Sequence, residues 1–404
     1  MTRLLSTDIA LALDRRRLLA GLGLGGLSLT FAGQAAAQTA TQNSGGRPKL
    51  VVVIARGAMD GLSITAPYAD ADYIRLRGPL AMKAPGEAEG GLLLEQGFAL
   101  HPALAGLHSL YGEGQLRFAP AVAIPTRIRS HFDAQDMLES GGERLHQSDS
   151  GWLNRALGAV NGRGLSIGAQ TPLILRGPAE TSSWAPGGRI GGDDRLASLL
   201  QDLYAEDRML AINLARGLET EAQAQSMSSG TGGSPRRGDA SGLGSAVARL
   251  MTGETGADVV ALSLDGWDTH ARQNAQLQAR LTQLDQLVGG LRQGLGGEWS
   301  RTVVIVATEF GRTARVNGTQ GTDHGTASTL MLAGGAIKHG GPIGDWPGLK
   351  DAALFENRDL APTLDVRAVF KGVLRDHLGV ERAALDAQVF PDSGAEAPAV
   401  TGLV

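Results

Sequence analysis

The sequence predicts an α/β fold in which a mainly parallel β-sheet lies between layers of helices. Three unbroken apolar runs, rich in β-branched residues, predict strands at residues 50–55, 257–264 and 302–308. Apolar strands without polar alternation are typical of parallel sheets that are covered on both faces. An amphipathic helix between the second and third runs supplies the crossover connection that parallel strands need.

The predicted crossover helix carries a single apolar stripe, because its apolar residues recur at alternating spacings of four and three. Two further helices are predicted at residues 193–214 and 359–378, the second with Pro362 near its first turn, where proline is tolerated. Residues 330–332 and 173–175 are shorter apolar runs, which predict two additional strands. The residues of the stripe are Leu277, Leu281, Leu284, Val288, Leu291 and Leu295.

The composition fits a folded, mildly acidic protein. Among 404 residues, 37 lysines and arginines stand against 41 aspartates and glutamates, giving a net charge of −4, and 42% of residues are hydrophobic. This balance excludes the basic surface of a nucleic-acid-binding protein, and the apolar content excludes wholesale disorder. There are no cysteines, so disulfides, thiolate metal sites and a cysteine nucleophile are excluded. Any metal ion would be held by histidine, carboxylate or hydroxyl groups.

Residues 1–37 are predicted to be a twin-arginine signal peptide. Arg15, Arg16 and Arg17 precede a short, glycine-rich apolar stretch at residues 18–31, and three alanines follow. A helix of that length is about 21 Å long, too short for a hydrocarbon core of about 30 Å. The alternative is an ordinary signal for export of the unfolded chain. Either signal predicts a periplasmic or secreted protein that keeps no stable membrane span after cleavage.

The mature chain is expected to form one domain. Residues 38–47 predict a flexible linker, and residues 48–395 carry all the predicted strands and helices. Residues 226–244 are rich in glycine and serine, with almost nothing to bury, and predict a mobile surface loop. We find no internal repeat, so one α/β domain interrupted by loops fits better than two independent domains.

Acidic and histidine residues follow the ends of the three best strands. In open α/β sheets, ligands bind beyond the carboxyl ends of the strands, so these side chains are expected to converge. A divalent cation such as zinc, manganese or calcium would suit them. The alternative for any one aspartate is a turn or a helix cap. The candidate metal ligands are Asp60, Asp265, Asp268, His270, Glu309, Asp323 and His324.

A second group of candidates lies beside a predicted helix start. Ser130 is a candidate helix cap, and the free N–H groups of a helix start attract anions. In the functional interpretation, Ser130 is a nucleophile, His131 a proton shuttle and Arg129 a stabiliser of anionic charge. The alternative is a capped surface helix. Arg312 is expected either to clamp an anionic group or to pair with a neighbouring acid.

Six short motifs occur in a fixed order along the chain. They are R-G-A-M-D-G at 56–61, R-S-H-F-D-A-Q-D-M at 129–137, S-G-W-L-N-R at 150–155, L-D-G-W-D-T-H at 264–270, T-E-F-G-R-T at 308–313 and T-D-H-G at 322–325. Together they resemble a bacterial family called domain of unknown function 1501, over roughly residues 48–380. Members of that family typically carry twin-arginine signals, in agreement with the predicted leader.

That family is similar to the alkaline phosphatase and sulfatase superfamily, and the similarity implies a mainly parallel sheet between helices. It also implies one or two divalent metal ions at the carboxyl edge of the sheet. A serine, threonine or modified cysteine there would attack a phosphate or sulfate ester. On this basis the metal ligands would be Asp60 after the first strand, the set Asp265, Asp268 and His270, and the pair Asp323 and His324.

The sequence departs from the superfamily pattern at two places. Asp265 and His270 are five residues apart, where a spacing of four is common. Glu309 is followed by Phe310 rather than by a histidine. If Glu309 takes the place of the usual aspartate, His324 would be the distant third histidine.

Two functions remain open from the sequence. The first is a metal-dependent hydrolase whose partner is an anionic phosphate or sulfate ester. Its nucleophile would be water or Ser130, with Thr126 as the next hydroxyl, since no cysteine is present. The second is a non-catalytic periplasmic protein that keeps the fold and binds or assembles with another exported protein. A nicotinamide enzyme is disfavoured, because no glycine-rich dinucleotide motif follows the first strand.

Overall fold

A large β-sheet organises the computed structural model, which describes residues 46–168, 170–186, 212, 214–215, 217–218, 220 and 238–404. The predicted signal peptide and nearly all of the predicted linker lie outside the described residues. So do most of the helix predicted at 193–214 and residues 226–237 of the predicted loop. Residues Arg47–Val404 cluster as one compact unit.

The described chain contains one large sheet and one small sheet. A three-stranded sheet in the order β2-β4-β3 accompanies the eight-stranded sheet described below. The strands are β1 (Lys49–Arg56), β2 (Thr65–Ala66), β3 (Leu92–Leu93), β4 (Ala99–Leu100), β5 (Leu116–Ala123), β6 (Gly164–Ile167), β7 (Thr181–Trp184), β8 (Val259–Asp265), β9 (Thr302–Ala307), β10 (Ser328–Ala333) and β11 (Leu364–Asp365).

The eight-stranded sheet has the order β11-β5-β10-β9-β1-β8-β6-β7. The pairs along it are parallel except at β10, which runs antiparallel to both of its neighbours, β9 and β5. The mainly parallel sheet predicted from the sequence is therefore confirmed. Its three best strands, at 50–55, 257–264 and 302–308, are β1, β8 and β9, which lie side by side in the centre. The run at 330–332 lies within β10.

Helices cover both faces of this sheet. Alternate residues of β1 belong to different cores, with Leu50 and Val52 on one face and Val51 and Val53 on the other. The helices are α1 (Gly61–Ile64), α2 (Tyr73–Arg77), α3 (Ala105–Gly112), α4 (His131–Ser140), α5 (Trp152–Val160), α6 (Ala240–Met251), α7 (Gln273–Leu295), α8 (Val366–Asp376) and α9 (Arg382–Ala384).

The long helix α7 confirms the predicted crossover between β8 and β9. Its apolar stripe is buried in the core shared with α3 and α6. Helix α6 begins within the segment predicted to be a mobile loop, so that prediction is wrong for residues 240–244. Asp239 caps α6 by accepting a hydrogen bond from the N–H of Gly242 at 2.7 Å. A Cβ at Gly244 would lie 2.2 Å from the carbonyl oxygen of Leu287, so this glycine permits close helix packing.

Two other local predictions are wrong. Residues 173–175 form a 3-10 helix instead of a strand, and Ile174 and Leu175 are buried in the core beneath it. The helix predicted at 359–378 begins only at Val366, because Asp365 caps it by accepting a hydrogen bond from the N–H of Arg367. Pro362 therefore precedes the helix by several residues.

The packed core extends beyond the predicted domain end at residue 395. Leu403 is fully buried, and its carbonyl oxygen accepts a hydrogen bond from the N–H of Lys338. Arg117 also donates to the carbonyl oxygen of Gly402 at 2.9 Å. Among the described residues, no helix has the length and apolar character needed to cross a membrane.

Candidate metal centre

Four segments bring candidate residues to the carboxyl edge of the large sheet. Asp268 and His270 follow β8, and Glu309 follows β9. His131 is the first residue of α4, in the segment that follows β5. His324 precedes β10, which is antiparallel to β9, so its segment reaches the same edge from the opposite direction.

His131, Asp268 and His324 form the centre of this arrangement. Each offers one possible ligand atom, and these atoms lie within 4.8 Å of one another. The Nε2 atoms of His131 and His324 are 3.1 Å apart. Asp268 places its two oxygens 3.2 Å from His324 Nε2 and 3.5 Å from His131 Nε2. Two ligands of a tetrahedral zinc ion are about 3.3 Å apart, since the bonds are about 2.0 Å long, so this spacing suits a metal ion.

Hydrogen bonds fix which nitrogens of the two imidazole rings carry protons. His324 Nδ1 lies 2.9 Å from the carbonyl oxygen of Arg129, which can only accept, so Nδ1 is the donor. His131 Nδ1 likewise donates to the carboxylate of Glu309 at 2.8 Å. In the neutral rings, both Nε2 lone pairs then face each other and the carboxylate of Asp268. Histidine ligands of metals typically donate their other N–H in this way, so the residues fit a bound cation.

The surroundings of the two histidines shift their pKa values in opposite directions. The hydrogen bond to Glu309 raises the pKa of His131. Burial lowers the pKa of His324. Without a metal ion, His131 therefore binds an additional proton more readily than His324 does. Metal binding would displace that proton, as expected where imidazole ligands must be deprotonated.

His270 adjoins the central set and faces solvent, with 46% of its side chain exposed. Its Nε2 lies 2.9 Å from Asp268 and 3.1 Å from His324 Nε2. On the other side of the ring, Nδ1 lies 3.2 Å from Asp323. Asn317 donates to the same oxygen of Asp323, and this hydrogen bond lowers the pKa of Asp323. His270 is thus held by a carboxylate and is placed either to add a ligand or to move a proton.

Arg312 supports Asp268 from the buried side. Its guanidinium donates to Asp268 Oδ1 at 2.6 Å and to the hydroxyl and carbonyl oxygens of Thr322. Burial alone would raise the pKa of Asp268, but the hydrogen bond and charge of Arg312 outweigh it and lower that pKa. Of the two roles that the sequence allows for Arg312, the structure therefore shows the pairing with a neighbouring acid.

Glu309 and Phe310 lie behind His131. The buried carboxylate of Glu309 accepts hydrogen bonds from the N–H of Gly57 at 2.9 Å and from Gln135 at 3.1 Å, as well as from His131. Burial would raise the pKa of Glu309, but these donors outweigh it and lower the pKa. The ring of Phe310 stacks on His131 with centroids 4.9 Å apart. The geometry favours an orienting role for Glu309 over the ligand role suggested by the sequence.

Asp60 belongs to a separate buried network. Its carboxylate forms an ion pair with Arg77, and both side chains are almost completely buried. It also accepts hydrogen bonds from Ser63 at 2.7 Å and from the amide of Gln273. The guanidinium of Arg77 already supplies the positive charge here, which argues against Asp60 as a metal ligand.

Asp265 and the two candidate hydroxyls occupy different surroundings. Asp265 ends β8 in an exposed position, and nothing within the described part of the chain bonds it to the histidines. Ser130 is the exposed residue before α4, and its side chain makes no capping hydrogen bond. Thr126 lies deeper, and its hydroxyl contacts the sulfur of Met137 at 3.1 Å. Ser130 is therefore the more accessible hydroxyl.

Arg129 is engaged on both its backbone and its side chain. Its carbonyl oxygen holds His324, as described above. Its guanidinium forms ion pairs with Glu356 at 2.6 Å and with the buried Asp359 at 2.7 Å. The side chain is 29% exposed. Arg129 would have to leave these acids before it could clamp an anion.

Three contacting residues were not singled out from the sequence. Gln135 bonds to Glu309 and lies four residues after His131, so helical spacing was an available signal. Asn317 holds Asp323 and Arg77 neutralises Asp60, through contacts that span 6 and 17 residues of the chain. Nothing in the sequence pattern pointed to these two.

The fold and the site together define a class of protein. It is an α/β protein that carries an accessible His–Asp–His group at the carboxyl edge of a mainly parallel sheet. A family model described as "Protein of unknown function (DUF1501)" matches residues 109–389, and the chain belongs to this family. The resemblance carried by the six motifs is therefore confirmed. No curated protein sequence matches the chain.

Several solved structures are similar to this chain. One is the C-terminal periplasmic domain of EcEptC from Escherichia coli, at 10% identity and a TM-score of 0.39, covering 85% of this chain and 86% of that one. Another is the lipoteichoic acid synthase LtaP from Listeria monocytogenes, at 8% identity and 0.39, covering 85% and 75%. A third is a protein of the alkaline phosphatase superfamily from Vibrio parahaemolyticus, at 10% identity and 0.37, covering 74% and 63%. The fold assignment rests on the sheet order of this chain.

Proposed function

We propose that this protein is an exported, metal-dependent hydrolase of phosphate or sulfate esters, and that His131, Asp268 and His324 bind its metal ion. The observation that carries the proposal is the convergence of two imidazole lone pairs and a carboxylate at one accessible point. Three protein ligands with solvent access are typical of catalytic metal sites, which keep a position open for substrate.

Zinc fits this set better than calcium does. Imidazole nitrogens suit zinc and similar transition metals, whereas calcium takes six to eight oxygen ligands. Two of the three proposed ligands are imidazoles. Of the three metals expected from the sequence, we therefore place zinc first and calcium last.

Different residues of the chain take different roles in the proposed reaction. A bound metal ion would polarise the ester and offset its negative charge. Ser130 presents an exposed hydroxyl beside His131 and is the proposed nucleophile. As the Ser130 oxygen bonds to phosphorus or sulfur and the ester bond breaks, His270 would accept the hydroxyl proton at Nε2 and pass it to the departing alkoxide, while Asp323 stabilises the ring through Nδ1. Water would then release the phosphate or sulfate from Ser130 and restore its hydroxyl. Backbone N–H groups at the start of α4 are placed to hold anionic oxygens.

Turnover by the mature protein tests this proposal. We expect p-nitrophenyl phosphate or p-nitrophenyl sulfate to be hydrolysed after addition of zinc or manganese. His324→Ala should abolish turnover while the protein remains folded by circular dichroism. The control is His339→Ala, which changes an exposed histidine outside the site. Ser130→Ala distinguishes between the two candidate nucleophiles, the Ser130 hydroxyl and water. Activity retained in that variant would assign the attack to water.

A second candidate function is a non-catalytic binding or assembly role with another exported protein. The observation that favours it is that Arg129 and Arg312 both pair with carboxylates, which leaves neither free to hold an anionic ester. In that case the metal ion would be structural. His324→Ala would then lose metal and stability together, and no ester would be turned over by the unsubstituted protein.

A further inference from the structure

A cleft of about 660 Å³ opens beside the candidate metal centre. We call it the α4 cleft, and we define it by Phe132 and Asp136 on α4, the loop residues 170–173, and Ser263 and Asp265 at the end of β8. Its volume lies within the range of about 300–1,000 Å³ that is usual for small-molecule sites. None of the proposed metal ligands lines this cleft.

The α4 cleft is joined to the metal centre through one helix. Phe132 follows His131 directly, so the cleft begins where the proposed ligand set ends. One turn later, Gln135 donates to Glu309 at 3.1 Å and accepts from Arg56 at 2.6 Å. The cleft and the metal centre are therefore neighbours along α4.

Carboxylates outnumber arginines in the lining of the α4 cleft, with Asp136, Glu139 and Asp265 against Arg56 and Arg176, and this balance disfavours an anionic occupant. Arg176 is exposed and donates to the carbonyl oxygen of Thr171 at 3.2 Å. Arg56 is already bonded through three of its nitrogens, to Ser263, Gln135 and Glu139. Asp265 is exposed, and within the described part of the chain no hydrogen bond or ion pair engages it. A carboxylate left open in this way repels anions and accepts hydrogen bonds from neutral donors.

The most exposed apolar side chain among the described residues that line the cleft is Phe132. That side chain is 87% exposed, although it lies on a helix whose other apolar residues are buried. An exposed aromatic ring offers an apolar platform for a flat, weakly polar face. The same cleft supplies amide, hydroxyl and carboxylate groups from residues such as Gln135, Ser263 and Asp265.

We propose that the α4 cleft binds a neutral, hydroxyl-rich leaving group, of which a sugar unit is the chemical class. The C–H face of the sugar packs on Phe132, and its hydroxyls donate to Asp265 and Asp136. The role as leaving-group site rests on the proposed hydrolase function, but the binding of the sugar itself does not. The substrate class then narrows to phosphate or sulfate esters of carbohydrates.

Saturation-transfer NMR on the full mature protein tests this inference without any turnover. The probes are neutral oligosaccharides built from glucose, galactose, mannose or N-acetylglucosamine units, with p-nitrophenol as an aromatic comparison. We expect transfer to the ring protons of at least one sugar, reduced at least about threefold in Phe132→Ala and in Asp265→Asn. Ile74→Ala is the matched control, because Ile74 is 69% exposed on α2, outside the cleft.

The outcomes separate this inference from the proposed function. Sugar binding that survives metal removal supports the cleft even if no ester is ever hydrolysed. Transfer to p-nitrophenol without transfer to any sugar would overturn the inference in favour of an apolar leaving group. Equal sugar transfer in the unsubstituted protein and in Phe132→Ala, or no transfer to any sugar, would also overturn it, while leaving the metal-centre proposal intact.

Discussion

Two carboxylates at the same edge of the sheet, Asp60 and Asp268, have opposite surroundings. Asp60 follows β1, is almost completely buried, and is neutralised by Arg77 within the protein. Asp268 follows β8, is 43% exposed, and turns toward His131 and His324 while Arg312 holds one of its oxygens. A strand-end position therefore does not by itself make a ligand. The residues that a distant segment brings to the carboxylate decide whether it stabilises the fold or remains available to a ligand.

The largest effect is expected where the buried pair is broken. Arg77→Met should lower the free energy of unfolding by about 3–5 kcal/mol, because it leaves the charge of Asp60 buried without its partner. Urea unfolding of the mature protein measures this change. The folded variant should still bind metal with unchanged affinity. A loss of metal binding at full stability would show that the Asp60 network belongs to the centre after all.

Removal of the metal ion should lower the thermal stability of the protein through Asp268, the exposed carboxylate of the two. A ligand present at 100 times its dissociation constant stabilises a folded protein by about 2.7 kcal/mol. We therefore expect a chelator to lower the thermal midpoint of the unsubstituted protein by several degrees, and zinc to restore it. The midpoint of Asp268→Asn should be unaffected by the chelator. An equal response in that variant would contradict the assignment of Asp268.

A smaller effect is expected from the partner that orients a ligand. Glu309→Gln keeps the shape of the side chain but weakens its acceptance of the hydrogen bond from His131. Such changes typically cost 10–100-fold in metal affinity, which competition with a metal-binding dye measures. Gln276→Glu is a charge-changing control at an exposed position on α7. An affinity unchanged by Glu309→Gln would argue against His131 as a ligand.

The last prediction concerns a histidine remote from the centre. Burial lowers the pKa of His101 to about 4, and its Nδ1 accepts a hydrogen bond from the N–H of Ala103 at 3.1 Å. Because the unfolded chain binds this proton near pH 6.5 and the folded chain does not, stability is lost as the pH falls from about 6.5 to about 4.

His101→Asn keeps a side-chain acceptor and removes the titrating group. Over that pH interval, the variant should therefore lose about 2 kcal/mol less stability than the unsubstituted protein, at roughly 1.4 kcal/mol per pKa unit. Urea midpoints at pH 7 and pH 4.5 measure the difference. Parallel loss in the two proteins would mean that other groups cause the acid sensitivity.

The sheet was predictable because its central strands are continuous apolar runs. Residues 50–55, 257–264 and 302–308 are buried on both faces, so their composition alone identifies them. Helix α6 was not predictable in the same way. Gly244 lies against α7, where contact with backbone excludes a Cβ, and in sequence the glycines of this segment resemble a linker.

The candidate site was partly predictable from strand ends. The rule that ligands bind beyond the carboxyl ends of strands placed Asp268, His270 and His324 at one edge of the sheet. The structure brings these three residues together. The rule could not separate them from Asp60, because the partner Arg77 lies on another helix. Nor could it assign the role of His131, which depends on the hydrogen bond from its Nδ1 to Glu309, 178 residues away in sequence. Contacts between residues so far apart in sequence are set by tertiary packing and leave no local sequence pattern.

The most direct test of the central claim is elemental analysis of the mature protein, exported, purified without chelators and compared with His324→Ala. The account predicts close to one zinc, or another divalent transition metal, per chain in the unsubstituted protein and almost none in the variant, with both proteins folded. An absence of metal from folded, unsubstituted protein even after zinc, manganese and calcium are added back would contradict it. The His–Asp–His group would then be a protonated hydrogen-bond network.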